Sequence, residues 1–242
     1  MEKSLFIITG ASKGIGKGLA EKALETGADV WGINRTHSID HENYKALTFD
    51  LANIPILLKE LPQFFIKAND YEKVVLINNA GTLGDIAHLG NIENESIPHL
   101  FNLNVSAPIL LMNQFMKDFK DLKGEKVIIN ISSGAGKNAV DGWSGYCASK
   151  AALDMASKVG AKEAEMDGNG FVIKAIAPGV VDTEMQTQIR NTDKKSFSGL
   201  EKFKNLKAEN QLSSEQEVAE KYFHFIDNLE KYPDVILDVR DV

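Results

Sequence analysis

Residues 9–16 read TGASKGIG, and this octapeptide lies between the apolar run SLFIIT and a segment, GIGKGLAEKALETG, whose apolar residues recur at helical spacing. Ile15, Leu19, Ala23 and Leu24 share one face of that segment, and Gly27 supplies a stop. A glycine-rich turn between a strand and a helix constrains the fold more than any other stretch of this chain. Gly10, Gly14 and Gly16 let the backbone turn tightly, approach a phosphate closely and pack helix against strand. The helix start adds free N–H groups and the positive end of a dipole. The turn, with Ser12, Lys13 and Ile15 among its glycines, therefore predicts a site for the pyrophosphate of a dinucleotide. Its spacing, T-G-x-x-x-G-x-G, is a variant of the shorter G-x-G-x-x-G loop.

Further short apolar runs follow: ADVWGIN, KALTF, KVVLIN, KVIINIS, FVIKAI and DVILDV. Several are apolar without alternation, as strands covered on both faces require. Helical patterns separate them. The clearest is SSEQEVAEKYFHFIDNLEK, where Val218, Tyr222, Ile226 and Leu229 form a stripe behind a Ser214 cap with Glu217 three residues on. Strand and helix alternate throughout, without internal repeat or linker, which predicts one α/β domain over 1–242: a doubly wound parallel sheet of about seven strands flanked by helices.

Composition narrows the class. A net charge of −7 with scattered Lys and Arg leaves no basic stripe for nucleic acid or an anionic membrane. The opening MEKSLFIITG, with an acid at Glu2, does not read as a signal peptide, and no run approaches the ~18 residues of a membrane span. Cytoplasm is the expected location. The single Cys147, read as a small buried apolar residue, excludes an intrachain disulfide, and the five His lack metal-ligand spacing. No metal is expected.

In an open α/β sheet the ligand crevice lies at the C-terminal ends of the strands, and that is where this chain places its distinctive residues. The second strand ends in GINRT. Neutral Asn34 followed by Arg35, with Lys13 in the phosphate loop, favours NADP(H) over NAD(H). Asp50 and Leu51 follow the third strand, where Asp50 is either an adenine contact or a helix cap. INNAG brings Asn79, Ala80 and Gly81 to the end of the fourth. NLNVSAP puts Asn104 in a helical region. Ser133 closes the fifth strand, thirteen residues before Tyr146, and APGVVDTEM carries Pro178, Gly179, Val181 and Thr183 past the sixth. Tyr146 and Lys150 lie one helical turn apart on one face, where the ammonium favours the phenolate and lowers a pKa that starts near ~10.

TGASKGIG, NNAG, the Ser133–Tyr146–Lys150 spacing and PGVVDTEM together resemble the short-chain dehydrogenase/reductase family over essentially the whole chain. The resemblance implies a Rossmann-like fold and a general acid, Tyr146, that protonates a carbonyl oxygen as hydride arrives. It implies that Lys150 lowers the tyrosine pKa and binds the nicotinamide ribose, that Ser133 bonds the reacting oxygen, and that Asn104 holds a water linked to Lys150. The DGWSGYCASKAALDM and PGVVDTEMQTQIR stretches are similar to those of bacterial benzil reductases and sepiapterin reductases. Both act with NADPH on small-molecule carbonyl substrates, vicinal dicarbonyls or related side-chain ketones.

In that light Trp143, Met185 and Gln186 either line a substrate pocket or serve packing and surface roles. Asp238 is either an anchor for a pterin or a solvated carboxylate. The 182–212 region reads as a substrate lid, charged and mobile over 191–210, and KYPDVILD departs from the family's glycine-containing turn. The family also implies a homodimer or homotetramer, with the small-residue helix after Tyr146 as candidate interface. A non-catalytic NADP sensor is the alternative of a different class; such proteins commonly lack the Tyr or Lys retained here.

Overall fold

The fold is described from a computed structural model over residues 3–65 and 71–241; Glu2 lies outside the described residues. Seven parallel strands form one sheet: β1 (Ser4–Thr9), β2 (Asp29–Asn34), β3 (Tyr44–Thr48), β4 (Lys73–Asn78), β5 (Glu125–Ile131), β6 (Phe171–Ala177) and β7 (Ile236–Asp238). Their order is β3-β2-β1-β4-β5-β6-β7, a doubly wound, Rossmann-like arrangement whose winding reverses between β1 and β4. Thr9 registers with Ile33 on one side of β1, and Ile8 with Ile77 on the other.

The helices are α1 (Gly14–Glu25), α2 (Ile54–Glu60), α3 (Ser96–Phe101), α4 (Ala107–Asp118), α5 (Ser144–Asp167), α6 (Glu184–Arg190), α7 (Leu200–Ala208) and α8 (Glu215–Ile226). Alternation along each strand divides the core. Phe6, Ile8 and Val30 point to the face covered by Leu19 and Ala23 of α1 and by Tyr222 and Phe225 of α8. Leu5, Ile7 and Ile33 point to the face covered by Leu111 and Phe115 of α4 and Ala164 of α5. Both faces of the central strands are dry, which is why their sequences run apolar without alternation.

The C-terminal part is held by polar ties. The sequence pattern places Leu229 on the last helix, yet α8 stops at Ile226 and Leu229 packs half-buried beyond it. The final strand keeps three residues of the run DVILDV. The glycine-free turn before it is held by Lys174 Nζ, which donates to the carbonyls of Tyr232, Pro233 (3.3 Å) and Asp234 (2.8 Å). One ammonium thus uses its three protons on one turn. Tyr222 donates its hydroxyl to Ile176 O (2.7 Å), joining α8 to β6.

Between β6 and α8 the chain makes an excursion over 182–213 that carries α6 and α7. It closes at its base: Val181 bridges Ser213, with Asp182 N donating to Ser213 O (3.0 Å) and Ser213 N to Val180 O (3.1 Å). Immediately afterwards α8 starts in a capping box, where Glu217 N donates to Ser214 Oγ (3.1 Å) and Ser214 N to Glu217 Oε2 (2.7 Å). Ser214→Ala removes one half of that box and is expected to cost about 1 kcal/mol. In a chain of this size that lowers the melting temperature by ~2–4 °C, read by calorimetry against a control at exposed Glu220.

Candidate active site

At the C-terminal end of β1 the Thr9 hydroxyl accepts hydrogen bonds from the backbone N–H groups of Asn79 and Ala80, both 2.9 Å. Asn79 Nδ2 in turn donates to Thr9 O (2.9 Å) and Gly10 O (3.2 Å). This knot joins the glycine turn to the NNAG segment across the point where the winding reverses. A Cβ on Gly16 would collide with Gly10 O and Asn79 Nδ2, so glycine there is a packing necessity. Gly10 and Gly14 adopt φ of +68° and +62°, the left-handed region. The first turn of α1 contains no acidic residue, and Lys13 makes no side-chain cap. Its N–H groups remain available to an anion, and the turn fits a dinucleotide phosphate.

Around the second and third strands the details differ from the sequence expectation. Lys13, expected to face a phosphate, is paired with Glu184 at the start of α6. Two long flexible side chains at the surface hold such a pair weakly, and a polyanion can displace it. Arg35 is exposed, whereas Asn34 is buried, its Nδ2 donating to the Tyr44 hydroxyl (2.8 Å). Gly32 makes this possible, because any Cβ there would strike the Tyr44 ring. Asp50 is neither a cap of α2, a role taken by Asn53, nor buried; its Oδ1 accepts from Ala52 N (3.0 Å), and Leu51 is buried beside it.

The second half of the site is built on β5, the loop behind it and α5. Ser133 follows the strand end by two residues and half-buries its side chain. Tyr146 and Lys150 are both buried on the first turns of α5, at 7% and 5% exposure. The Lys150 ammonium donates to Ile131 O (2.7 Å) and lies 5.7 Å from the centre of the Tyr146 ring. Burial pushes the tyrosine up to about 12, opposed by its hydrogen bond with Ser133. Burial also pushes the lysine down to about 8, opposed by the charge of Asp154. The expected lowering of the tyrosine by lysine is therefore absent here: desolvation of both groups outweighs it.

Asn104 is buried in a π-helical segment, Asn102–Ser106, between α3 and α4. Its Nδ2 donates to Thr82 O (2.8 Å) and Ser149 Oγ (3.1 Å), and its Oδ1 accepts from Thr82 N (2.9 Å). The side chain thus clamps the loop after Gly81, itself exposed, to α5.

Beside Ser133 and Tyr146 lies a cavity of about 380 Å³. Its walls include Leu83, Val140, Trp143, Met185 and Phe203, together with Pro178, Gly179, Val181 and Thr183 from the end of β6. Trp143 serves both roles open in the sequence: it lines the cavity and packs, stacked on Phe197 at 5.1 Å and perpendicular to Tyr146 at 5.9 Å. Met185 is half-buried and Gln186 buried. Asp238 reaches the cavity wall but is not a free acceptor: Arg240 donates to it from Nε (2.8 Å), Nη2 (2.6 Å) and its backbone N–H (3.0 Å). Those bonds hold its carboxyl below the usual range. Cys147, expected buried, is half-exposed, with Sγ 3.7 Å from Asn138 O.

A family model described as short chain dehydrogenase matches residues 4–194. The chain belongs to the short-chain dehydrogenase family. It is therefore an oxidoreductase that works with a nicotinamide cofactor. It is 39% identical over 222 residues to benzil reductase ((S)-benzoin forming) of Bacillus subtilis, covering 89% of this chain and 90% of that one. The enzyme of the same name from Bacillus cereus is 37% identical, with 94% and 95% covered. Sepiapterin reductase of Mus musculus is 28% identical over 78% of each chain. Among solved structures, a short-chain dehydrogenase/reductase from Saccharomyces cerevisiae superposes with a TM-score of 0.81 at 25% identity, covering 98% of this chain and 96% of that chain.

Three features of the site were not read in the sequence. Phe197 is fully buried, and with Phe203 it completes an aromatic cluster on Trp143. An isolated aromatic residue in the polar stretch NTDKKSFSG was its only signal. Asp141 accepts from Ser198 N (2.7 Å) and Ser198 Oγ (2.8 Å), clasping the excursion to the loop before α5. Ser132 donates to Asp154, joining that loop to α5. The segment 191–210 is thus anchored by apolar and polar contacts rather than by charge alone, and no group of acidic, His or Cys side chains suited to a metal occurs among the described residues. The Ser198 bonds hold the Asp141 carboxyl below its ordinary range, so the clasp is complete above the usual carboxylate pKa and is lost only as pH falls through the lowered value. Asp141→Ala is expected to speed amide exchange and proteolytic nicking within 193–200 while leaving β1 and β4 protected, as read by mass-resolved hydrogen exchange.

Proposed function

We propose that this chain is an NADPH-dependent carbonyl reductase that reduces one carbonyl of an aromatic 1,2-dicarbonyl compound to an α-hydroxy ketone. The observation that carries this reading is the position of Ser133 and Tyr146 together on the wall of an aromatic-lined cavity, with Lys150 one helical turn beyond Tyr146. The similarity to two benzil reductases points the same way.

A reduced nicotinamide supplies the hydride, which forms the new C–H bond. Tyr146 supplies the proton that forms the O–H bond, and its high pKa keeps it protonated through the neutral range. Ser133 donates to the same oxygen as negative charge develops there. Lys150 would hold the nicotinamide ribose and return a proton to Tyr146, and Asn104 would hold a water through which Lys150 recovers that proton from solvent. Gly10, Ser12, Gly14, Ile15 and Gly16 would cradle the pyrophosphate, while Arg35 would meet the 2′-phosphate, joined by Lys13 once it leaves Glu184, with Asn34 contributing its neutral side chain, buried against Tyr44, where an acid would repel that phosphate. Asp50 and Leu51 flank the adenine, Asn79, Ala80 and Gly81 the ribose, and Pro178, Gly179, Val181 and Thr183 the nicotinamide.

The 182–212 region is the lid, and Trp143, Met185 and Phe203 select flat aromatic substrates through area and ring contact. The engagement of Asp238 by Arg240 weighs against the pterin alternative, since a pterin edge needs a free acceptor. Retention of both Tyr146 and Lys150 weighs against a non-catalytic sensor. Exposed Met155 and Val159 on α5 support assembly as a homodimer or homotetramer through that helix.

Tyr146→Phe keeps the ring and its packing but lacks the transferable proton. It should lower kcat by about 100-fold or more while nucleotide binding stays close to wild type, measured by loss of reduced-nicotinamide absorbance with benzil and by fluorescence titration. Activity on simple aliphatic ketones, with none on diketones, would point to a different branch of the family.

Cofactor choice gives a separate test. NADPH should exceed NADH in kcat/KM by roughly two orders of magnitude, because charge-assisted contacts contribute ~1.5–3 kcal/mol each. Arg35→Asp should narrow or reverse that ratio and make the remaining preference less sensitive to salt. Equal use of both cofactors by the wild type contradicts the assignment.

A further inference from the structure

Asp154 lies on α5 one turn beyond Lys150 and is only 6% exposed. Its carboxylate accepts the Ser132 hydroxyl, and Ser132 is itself buried, next in the chain to Ser133. The loop that continues from Ser133 passes directly over the same carboxylate. A Cβ on Gly136 would lie 2.9 Å from Asp154 Oδ2 and 3.1 Å from the Lys150 carbonyl carbon, so the loop can approach α5 only as glycine. Ser132 N also donates to Ile176 O (2.9 Å), continuing the β5–β6 ladder. The residue before Ser133 is thus fixed from two directions, by the sheet through its backbone and by α5 through its side chain.

A buried carboxylate bound by a single hydroxyl is costly unless cations lie near it. Lys150 and Lys158 from its own helix and Lys137 from the loop opposite supply that charge. Burial still raises its pKa, with the Ser132 bond and those three lysines opposing. The neighbouring acid on β7, Asp238, is already engaged by Arg240. Asp154 lies one helical turn from Lys150 and lends it negative charge, and among the described residues the ammonium also meets the Ile131 carbonyl and the Tyr146 ring.

We propose that Asp154, with Ser132, is a positioning residue for the reduction, fixing the loop that carries Ser133 and holding a carboxylate one helical turn from Lys150. The inference rests on the reading of Ser133, Tyr146 and Lys150 given above. Asp154 touches neither of the two groups that meet the substrate; it acts through the loop on one side and through the helix on the other.

Two substitutions separate these actions. Asp154→Asn keeps shape and an acceptor for Ser132 but removes the charge. Ser132→Ala keeps the charge but removes the bond. The wild type is assayed first with NADPH and benzil, and its kcat/KM for cofactor, which reports the free enzyme, should fall above about pH 8 as Lys150 deprotonates. In Asp154→Asn that alkaline limb should move to lower pH, because the lysine has lost the charge that raised its pKa. In Ser132→Ala the limb should stay in place while kcat drops about five- to tenfold, the worth of one buried hydrogen bond. Ser132→Thr, which retains the hydroxyl, should recover most of that loss. Thermal melts and cofactor titration establish that each variant is folded, and if Asp154→Asn fails to fold, the Ala/Thr pair at 132 still decides. Wild-type protein inactive on every carbonyl tested would remove the functional reading itself. With an active wild type, an unmoved alkaline limb in folded Asp154→Asn, or equal kcat in Ser132→Ala and Ser132→Thr, overturns the positioning role.

Discussion

A parallel sheet cannot be closed by hairpins, so each strand must be left by a crossover that returns to the opposite end of the sheet, where the next strand begins. Every loop leaving a strand therefore emerges on the same side, and where the winding reverses, between β1 and β4, two such loops diverge and open a crevice. The cost of that geometry falls on the backbone at the split, where the sheet ladder ends and N–H and C=O groups lose their strand partners. The Thr9 hydroxyl and the Asn79 carboxamide take over, joining the two loops by four hydrogen bonds. The demand for glycine at position 16 follows from the same close approach. Much of the candidate site is a consequence of this one junction, since it sets the distance between the phosphate turn and the loops that follow β4 and β5.

Burial dominates the electrostatics of the second half of the site. Tyr146 and Lys150 lie in a region where either charge is penalised, and the two shifts, one to about 12 and one to about 8, move the pair toward its neutral form. A tyrosine so placed holds its proton firmly until a partner stabilises the anion left behind. In the proposed mechanism the ammonium acts only while it is charged, so the groups that support that charge bear on it as directly as the tyrosine does. Folding carries the corresponding penalty. A lysine whose folded pKa lies below its unfolded value of 10.5 destabilises the fold most when it is charged, below pH 8, and the penalty is relieved as pH rises toward the unfolded value.

The sheet, the ends of its strands and the motif residues were legible in the sequence because each depends on local pattern: apolar runs, glycine spacing and a capping box within four residues. Individual side-chain pairings, near or far along the chain, were not. Phe197 meets Trp143 across more than fifty residues, Tyr44 crosses Gly32 to reach Asn34, and Arg240 takes the carboxylate of Asp238. The i,i+4 spacing of Tyr146 and Lys150 also carries no sign of their burial, which raises the tyrosine and lowers the lysine. Lys13 shows the same limit at the surface, where its position near the phosphate turn was readable but its pairing with Glu184 was not.

The division of labour between rigid and adaptable elements follows from how each is held. Ser133, Tyr146 and Lys150 stand just past a strand end and on the first turns of a long helix, with Tyr146 and Lys150 buried on its inner face. Phe203, Met185 and Gln186 stand on an excursion whose two ends are joined by the Val181–Ser213 bridge and which is tied to the loop before α5 by Asp141 and one aromatic cluster. Aromatic and thioether contacts tolerate changes in angle that hydrogen bonds do not. Substitutions in the excursion can therefore reshape the cavity while Ser133, Tyr146 and Lys150 keep their geometry. Trp143 belongs to both parts, fixed at the start of α5 yet stacked on the excursion, and through it the shape of the substrate wall is referred directly to the position of Tyr146.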